Sequence, residues 1–311
     1  NLLATAAEEY PVDTPHPGWA EQDPERWVAA ALTTTRDAVA RAGIDGGDVA
    51  AIGFSGQMHG TVCLDDRGEP LRPAIIWADQ RSSRQVAEVT EALGRERLAA
   101  WTGNPLATGF MLPSWLWLRE HEPEVAASTH RLLLPKDYVR YRLTGAIGVE
   151  PSDASSTSLF NPVTRSWSRE LLEALDLAGC VLPEVHGSSE VAGGLLAEPA
   201  RAMGLPEGVP VIFGGSDQAM QALGNGVVSP GVVSSTIGTG GQLFASTERP
   251  VVDAPELRMH SFCHVVDDRR HVETAMLAAG LSLRWLRDRV MPGESYDAMA
   301  NAAQDVAPGA E

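Results

Sequence analysis

Two separate segments of the sequence carry side chains that could bind and activate a hydroxyl group. Asp217 follows the apolar run 209–213 after two glycines and a serine, and a second apolar run, 49–54, leads into a loop that carries Met58 and His59. Side chains at the carboxyl ends of strands lie where open α/β sheets usually bind ligands. Asp is also a favoured helix N-cap, which is the structural alternative for Asp217. If the two loops converge on one crevice, together they predict a polyol site.

Met58 and His59 each have a structural alternative as well. A histidine ring can donate to or accept from a sugar hydroxyl, but a lone histidine beside glycines is more often a structural loop residue. A methionine is likewise more often packed in a core than used for recognition. Local sequence alone leaves both interpretations open.

A glycine-rich segment, Gly238-Thr239-Gly240-Gly241, lies between two predicted strands. A hairpin with such a turn can approach a phosphate closely, because glycine leaves room for the ligand at the backbone. The dinucleotide fingerprint G-x-G-x-x-G would need glycine at position 243 and a following helix, whereas Leu243 stands there in a predicted strand. No G-x-x-x-x-G-K-[ST] sequence occurs. Both the Rossmann and the P-loop assignments therefore fail.

Two other groups of residues have the chemistry of a site but favour a structural interpretation. His260, Cys263 and His264 could be metal ligands, but on a strand His260 and Cys263 face opposite sides and cannot easily share one tetrahedral ion. The Asp doublets 65–66 and 267–268 are the candidates for a glycosidase pair. Both doublets lie in predicted turns, which favours solvated turn residues.

The elements that must position these residues alternate between strands and helices, and this alternation predicts an α/β fold. Asp23-Pro24-Glu25 predicts a helix start, with an N-cap acceptor, a proline at the first helical position and an early acid, and Gly43 predicts its end. The other predicted strands are the end of a strand at 2–10, then 49–54, 61–64, 71–76, 209–213, 231–237, one beginning at 242, and 259–266. The other predicted helices are 112–120, 138–143, 168–175, 218–223 and 274–289.

Charge and composition narrow the possible partners. The 311 residues include Lys+Arg 24 and Asp+Glu 41, which gives a net charge of −17. Such a surface repels nucleic acid and anionic membranes, although a metabolite phosphate can still bind through backbone N–H groups. No apolar run is long enough to predict a membrane span. Cys63, Cys180 and Cys263 are odd in number and far apart, so we expect core residues in a reducing cytoplasm.

Six segments, read in order, resemble the FGGY carbohydrate kinases. Several motifs in one order across essentially the whole chain are far more specific than any single motif. The Met58-His59 pair is similar to that of the bacterial xylulokinase branch, and Gln218 stands where close relatives often carry Asn. The six segments are 55–60, 77–81, 134–145, 152–155, 214–218 and 237–241.

This resemblance implies a two-lobed α/β chain with the actin-like ATPase fold, each lobe being built on a ribonuclease-H-like core. It implies that Met58 and His59 contact a ketose, that Asp217 binds the substrate and is the catalytic base, and that Gln218 orients sugar hydroxyls. The segment 77–81 is expected to shape the sugar site without an assigned contact. No residue is assigned as a metal ligand.

The same resemblance implies ATP and Mg²⁺ as cofactors, with Gly238, Thr239 and Gly240 cradling the ATP phosphates. Family members begin with a strand and an Asp-x-Gly-Thr type phosphate loop that this sequence lacks, and they continue beyond its last residue. We therefore expect residues 1–230 to be an N-terminal sugar-binding lobe without that strand and loop, and residues 231–311 to begin an incomplete ATP-binding lobe. The missing strand would be central in its sheet, so its absence is expected to expose apolar surface.

The implied reaction is ATP-dependent phosphorylation of D-xylulose to D-xylulose 5-phosphate, with Asp217 as the general base. One alternative is a sugar-binding fragment without catalysis, and another is a kinase for ribulose, gluconate or glycerol, because small changes of pocket residues retune hydroxyl recognition. The expected partner is a small sugar, with no nucleic acid and no membrane, and a homodimer is left open.

Overall fold

The computed structural model describes residues 1–177, 179, 182–276, 278–307 and 309. The helices are α1 (Pro24–Ala42), α2 (Ser83–Leu93), α3 (Arg95–Thr102), α4 (Met111–His121), α5 (Pro123–Ser128), α6 (Pro135–Thr144), α7 (Pro151–Ser155), α8 (Arg169–Ala174), α9 (Ala197–Met203), α10 (Asp217–Gly224), α11 (Gly280–Arg289) and α12 (Tyr296–Ala303), with a 3₁₀ turn at Gly46–Asp48.

The strands are short in the first two thirds of the chain and longer near its end. They are β1 (Glu21–Gln22), β2 (Ser55–Gly56), β3 (Val62–Leu64), β4 (Ala74–Ile75), β5 (Arg131–Leu133), β6 (Phe160–Asn161), β7 (Ser166–Trp167), β8 (Val191–Gly194), β9 (Pro210–Ile212), β10 (Gly215–Ser216), β11 (Val233–Ile237), β12 (Gly241–Thr247), β13 (His260–Cys263) and β14 (Arg270–Met276).

Two pairings position the site. The strands β2 and β10 pair in parallel, and the last four strands form one antiparallel sheet in the order β11-β12-β14-β13. The other pairings are β1 with β4, β3 with β5, β6 with β7, and β8 with β9. The mixture of helices with parallel and antiparallel strands is the α/β architecture that the alternating sequence pattern predicts.

Helix α1 begins and ends at the predicted residues. The side chain of Asp23 accepts a hydrogen bond from the N–H of Glu25, Pro24 occupies the first helical position, and Gly43 ends the helix in the left-handed region at φ 65°. The N-cap satisfies one of the orphan donors of the first turn, and glycine adopts positive φ without a Cβ penalty. The predicted helices around 112–120, 138–143, 168–175 and 218–223 are confirmed as α4, α6, α8 and α10.

The antiparallel pair β3–β5 separates two apolar cores. Cys63 and Leu132 contribute to one core, whereas Val62, Leu64 and Leu133 contribute to the other, as expected because successive side chains of a strand face opposite sides. Helices α3, α4 and α7 supply much of the first core, and α1, α6 and α9 supply much of the second. A strand buried on both faces explains why residues 62–64 and 132–134 are continuously apolar.

The strand predicted to end within residues 2–10 is absent from the described structure, and the strand predicted at 49–54 is reduced to a single bridge. Residues 1–10 form no strand, and Leu2 and Leu3 are exposed, because a strand needs a hydrogen-bonded neighbour and none lies beside them in the described structure. Of the run 49–54, Ile52 alone makes a bridge, to Val211. Val49, Ile52 and Phe54 are partly buried against the second core, and the other three residues of the run are exposed.

The predicted helix 274–289 is wrong in its first part. Residues up to Met276 belong to β14, and α11 begins at Gly280. The β-branched Val272 and Thr274 suit a strand, and β14 gains ladder bonds from both β12 and β13. These long-range pairings outweigh local helix propensity.

The other predicted strands are confirmed in position. Those at 209–213, 231–237, 242 onward and 259–266 correspond to β9, β11, β12 and β13. The hairpin arms at 61–64 and 71–76 meet through the Thr61–Ile75 and Leu64–Pro70 bridges.

Two of the three cysteines have the burial expected of core residues. Cys63 and Cys263 are buried, whereas Cys180 lies outside the described residues. Within the described part of the chain, no helix is both long enough and apolar enough to cross a bilayer.

Candidate functional site

The structure brings the two predicted loops together at one edge of the β2–β10 pair. Gly215 is the register partner of Ser55, and Ser216 is the partner of Gly56. Because the two strands run in parallel, the residues that follow them, including Asp217, leave the same edge of the pair. The convergence on which the sequence argument depended is therefore a feature of the fold.

Asp217 is the first residue of α10, and Ser216 occupies the N-cap position without a side-chain capping bond. The Asp217 carboxylate is half-buried and accepts a hydrogen bond of 2.8 Å from the N–H of Gln218. Burial raises the pKa of Asp217 to about 6, and the negative charge of Glu273 adds to the rise. A carboxylate with a pKa close to neutral is well matched to accept a proton from a hydroxyl group at physiological pH.

His59 is held in an unusual backbone conformation. Its φ is 73°, in the left-handed region that favours glycine. Its ring Nδ1 lies 2.7 Å from the carbonyl oxygen of Ser156, and the ring stacks on Phe110 with centroids 3.7 Å apart. Desolvation lowers the pKa of His59 to about 4, so the ring is neutral at pH 7. A non-glycine residue held in the left-handed region is a form of backbone strain that clusters at functional sites.

Met58 forms an apolar wall beside the histidine ring. It is buried and packs with Phe110 and Phe262, with Ala107 at the edge of the same cluster. Phe262 comes from β13, so the four-stranded sheet β11-β12-β14-β13, which we call the second sheet, completes this wall. Gln218 lies next to Asp217 in the first turn of α10 and is partly buried.

A buried group of charged residues lies beneath both loops and was missed by the sequence analysis as part of the site. The Nζ atom of Lys136 donates to the Oδ1 atom of Asp137 at 2.7 Å, and it lies 3.3 Å from Asp153 and 3.9 Å from Glu150. All four side chains are fully buried. Burial raises the pKa of Asp153 well above its usual range. The signal was present as four charges flanked by apolar residues within two short segments.

This charged group supports the loops through specific bonds. Lys136 also donates to the carbonyl oxygen of Phe213 at 3.2 Å, and the N–H of Ser216 donates to the hydroxyl of Ser152 at 2.9 Å. The Ser152 hydroxyl in turn donates to Glu150. Residues on both sides of the two glycines before Asp217 are therefore anchored to the charged group.

The glycine hairpin lies in the exposed turn between β11 and β12. The carbonyl oxygens of Gly238 and Thr239 accept hydrogen bonds from the N–H groups of Gly280 and Leu281 at the start of α11. Within the described part of the chain, the N–H groups of Thr239 and Gly240 donate to no backbone acceptor. A Cβ at Gly238 would meet no atom within 4 Å. The turn therefore has open space and backbone donors, which suit a phosphate group.

The register of the second sheet divides its side chains between two faces. Directly opposed residues share a face, so Phe244, Glu273 and His260 lie side by side across β12, β14 and β13. We call this side the inner face because it faces the rest of the chain. Phe244 packs with Ala222 of α10, and the ring centroids of His260 and Phe110 are 5.5 Å apart. Gln242, Phe262 and His271 also belong to the inner face. The outer face carries the exposed residues Val233, Ile237, Leu243 and Met276.

The other proposed sites have structural explanations. His260 lies on the inner face and Cys263 on the opposite side of β13, and no cluster of three metal-binding side chains occurs among the described residues. The Asp doublets 65–66 and 267–268 lie in turns. In the segment 77–81, the buried Asp79 and Arg81 pair with each other at 2.8 Å.

A cavity of about 600 Å³ lies beside this segment rather than at Asp217. It is bounded by the N-terminal residues near Tyr10, by Trp27 of α1, and by Gln57 and Trp77. Its lining is largely apolar in residue type, and Asp217 does not contribute to it. The cavity therefore adjoins the first loop through Gln57, and no residue of α10 lines it.

Most of the chain matches a known protein family. Residues 1–224 match the N-terminal domain of the FGGY family of carbohydrate kinases. The chain belongs to this family. Its motif order, which already suggested the resemblance, is thus confirmed over most of the sequence.

Members of the family that resemble this chain include several xylulose kinases. The chain is 38% identical over all of its 311 residues to the xylulose kinase of Lactococcus lactis subsp. lactis, of which it covers 62%. It is also 38% identical to the solved xylulose kinase of Brucella ovis, with a TM-score of 0.85 over 91% of this chain and 57% of that one. The chain thus spans about three fifths of the length of these relatives.

The fold extends to a solved structure with another name. The solved gluconate kinase of Lactobacillus acidophilus matches 97% of this chain with a TM-score of 0.89 at 24% identity, which shows the fold alone. The predicted α/β, actin-like ATPase fold is confirmed by these structural neighbours.

Proposed function

We propose that the protein phosphorylates a ketose, D-xylulose to D-xylulose 5-phosphate, with ATP as the phosphoryl donor. The observation that carries this proposal is the parallel pairing of β2 and β10, because Asp217 and the loop of Met58 and His59 both follow strands that end at the same edge of this pair. The 38% identity to proteins named xylulose kinases, over the whole chain, supports the choice of sugar.

Asp217 is the general base of the proposed reaction. Its carboxylate accepts the proton of the ketose hydroxyl as that oxygen attacks the γ-phosphorus, and the bond from that phosphorus to the bridging oxygen of ADP breaks. A pKa of about 6 keeps most of the group ionised at pH 7 while leaving it more basic than an exposed Asp. Phosphoryl transfer needs little covalent help from the protein, so positioning dominates the remaining contribution.

Met58, His59 and Gln218 are the proposed sugar-binding residues. The neutral His59 ring presents one nitrogen to Ser156, which leaves the other nitrogen for a sugar hydroxyl. Met58 and Phe110 supply the apolar wall against which the carbon skeleton packs. The Gln218 amide, adjacent to the base, can both donate to and accept from hydroxyl groups.

The described residues suit the phosphates of ATP but include no evident set of ligands for Mg²⁺. The open turn with backbone donors at Gly238, Thr239 and Gly240 suits the phosphates of ATP. ATP would supply the phosphoryl group, and Mg²⁺ would neutralise its charge. No set of protein ligands for Mg²⁺ is evident among the described residues, so the ion is expected to arrive with the nucleotide.

The proposed division of labour follows the chain. Residues 1–230 form a sugar-binding lobe, and residues 231–311 begin a nucleotide-binding lobe. The family match over 1–224 and the new sheet that starts at Val233 support this boundary.

A second candidate is a sugar-binding module that does not transfer phosphate. The observation that favours it is that the loops proposed to bind the sugar both lie within residues 1–224, the part that matches the N-terminal domain of the family. Such a module would bind ketose through the same loops.

Calorimetric titration with D-xylulose and a coupled assay of ADP release, each on wild type, Asp217→Asn and Asp66→Asn, test these proposals. We expect Asp217→Asn to retain sugar affinity and to lose turnover by about 10²–10⁴-fold, the usual contribution of a general base. Asp66, exposed in a turn, is the matched control and should change neither quantity. Undiminished turnover in Asp217→Asn would refute its role, and sugar binding by wild type without any ADP release would favour the second candidate.

A further inference from the structure

Glu273 is a carboxylate on the inner face of the second sheet with no role in the reaction described above. It is 6% exposed, and its Oε2 atom has no hydrogen-bond partner among the described residues. Its Oε1 atom accepts a long bond of 3.3 Å from the amide of Gln242. A buried carboxylate oxygen without a donor is costly, which indicates that a donor is supplied by something else.

The register places Glu273 between the two halves of the site. Phe244, on one side of it, packs with Ala222 of α10, the helix that begins at Asp217. His260, on the other side, lies against Phe110, which stacks on His59. Glu273 therefore lies over the space between the base and the histidine.

The charged and titratable groups around Glu273 are consistent with this position. Its negative charge raises the pKa of Asp217, and it opposes the downward pKa shifts of His59 and His260 that burial causes. These three groups come from three different elements. Its nearest titratable neighbour is His271 on the same strand, whose Nε2 atom is 3.7 Å from Oε2, too far for a hydrogen bond.

We propose that Glu273 is a specificity-determining residue that accepts a hydrogen bond from one hydroxyl of the bound ketose, with Gln242 orienting the carboxylate. The inference rests on the proposed sugar site and adds to it a contact from the second sheet. The sugar would thus be held between the Met58-His59 loop on one side and β14 on the other. A sugar hydroxyl would supply the donor that the Oε2 atom lacks among the described residues.

The same geometry gives an alternative that must be separated from sugar recognition. Glu273 and His271 share a face and are close enough to interact if a small rearrangement shortens their separation. In that case the carboxylate would stabilise the sheet and would leave sugar affinity unchanged. Stability and affinity therefore have to be measured on the same variants.

The test is a cycle between protein variants and sugars that lack one hydroxyl. Affinity is measured calorimetrically for D-xylulose and for each monodeoxy analogue, with wild type, Glu273→Gln, Glu273→Ala and the exposed control Glu248→Gln. We expect about 10–100-fold weaker D-xylulose binding by Glu273→Ala, the usual worth of a hydrogen bond to a charged group. Wild type should bind one of the deoxy sugars more weakly than D-xylulose by the same factor. Glu273→Ala should bind that deoxy sugar and D-xylulose with equal affinity.

Each outcome has a separate meaning. If wild type binds no ketose, the proposed function fails. A second case is that wild type binds ketose while, for every analogue, the affinity lost through Glu273→Ala is the same whether or not the sugar hydroxyl is present. In that case Glu273 makes no sugar contact and the inference is overturned. A lower melting temperature with unchanged affinity would overturn it in favour of the His271 pair.

Discussion

Burial of the Asp217 carboxylate has opposite effects on chemistry and on stability. Desolvation raises its folded pKa to about 6 from a usual value near 3.8, which suits a base but penalises the ionised form in the folded state. Wild type therefore loses stability as the pH rises from the unfolded pKa to the folded pKa. Below both values the carboxyl group is neutral in both states, and the penalty is absent.

From this imbalance we expect Asp217→Asn to be more stable than wild type at pH 8. The gain should be about 1–3 kcal/mol, because two pKa units correspond to roughly 3 kcal/mol at most. Asn can still accept the bond from the N–H of Gln218. Urea unfolding at pH 8 and pH 3.5 measures the effect, which should disappear at the lower pH. A variant that is less stable than wild type at pH 8 would show that burial does not penalise this carboxylate.

The Asp217 carboxylate should also set the acid limb of the pH profile of kcat/KM. We expect kcat/KM to fall tenfold for each pH unit below about 6, because Asp217 must be ionised to accept a proton. His59, with its pKa near 4, contributes nothing to this limb. Steady-state rates between pH 5 and 8 provide the measurement. In Glu273→Gln the limb should move to lower pH, since the nearby negative charge is removed, and a limb at an unchanged pH would contradict this electrostatic coupling.

At the scale of elements, the charged group under the loops determines whether α6, α7 and the loop before α10 stay in register. Lys136 faces three acidic side chains, and Arg140 pairs with Asp137 alone, so removing Lys136 leaves Glu150 and Asp153 without a cationic partner among the described residues. Its Cβ also lies 2.5 Å from where a Cβ would stand at Gly56, so the loop and helix touch directly. Close packing and charge pairing thus act at the same residue.

We expect Lys136→Met to reduce the free energy of unfolding by about 3–5 kcal/mol, the usual cost of breaking a buried ion pair. The exposed Arg84, which pairs with Glu88 and Glu120, provides the control, and Arg84→Met should cost less than about 1 kcal/mol. Denaturant melts of both variants give the comparison. Equal losses in the two variants would contradict the importance assigned to the buried group.

Local signals predicted those elements whose ends are defined by their own residues. The cap at Asp23 and the stop at Gly43 fixed α1, and Gly68, with φ 82°, confirmed the hairpin turn. The start of β14 could not be found in this way, because residues 270–276 become a strand through pairing with two distant partners. Glu273 was missed for the same reason, since its face is defined only by the register.

The convergence of the two loops was predicted because ligand sites of open α/β sheets lie at the carboxyl ends of strands, and β2 and β10 do end at one edge. The roles of Asp217, Met58 and His59 at that edge stay predictions. The support beneath the loops was not predicted. Lys136 and Asp153 are separated in sequence, and only their common burial shows that they form one group.

On the scale of the whole molecule, the second sheet is joined to the first part of the chain by polar contacts. The side chain of Asn104 accepts from the N–H of Ser261 at 2.8 Å and donates to its carbonyl oxygen at 3.0 Å. The N–H of Cys263 donates to the hydroxyl of Ser155, and Arg270 donates to the carbonyl oxygen of Pro162. These bonds fix the distance between the inner face and the two loops.

We expect Asn104→Ala to reduce the free energy of unfolding by about 2–4 kcal/mol, because it leaves two buried backbone groups of Ser261 without partners. Sugar affinity should fall as well, since the inner face is no longer held over the loops. Asn225→Ala is the control, because that exposed amide bonds only to Gln221 among the described residues. Thermal melts and sugar titrations on both variants measure these effects, and intact affinity in a folded Asn104→Ala protein would exclude this coupling.

The outer face of the second sheet has a practical consequence for anyone assaying this protein. Ile237 is 78% exposed and Met276 is 59% exposed, beside Val233 and Leu243 on the same side. Fluorescent dyes such as ANS brighten on bare apolar surface and are commonly used to diagnose molten states. With this chain the dye would brighten on a correctly folded sample, so near-ultraviolet circular dichroism is the sounder criterion of native packing.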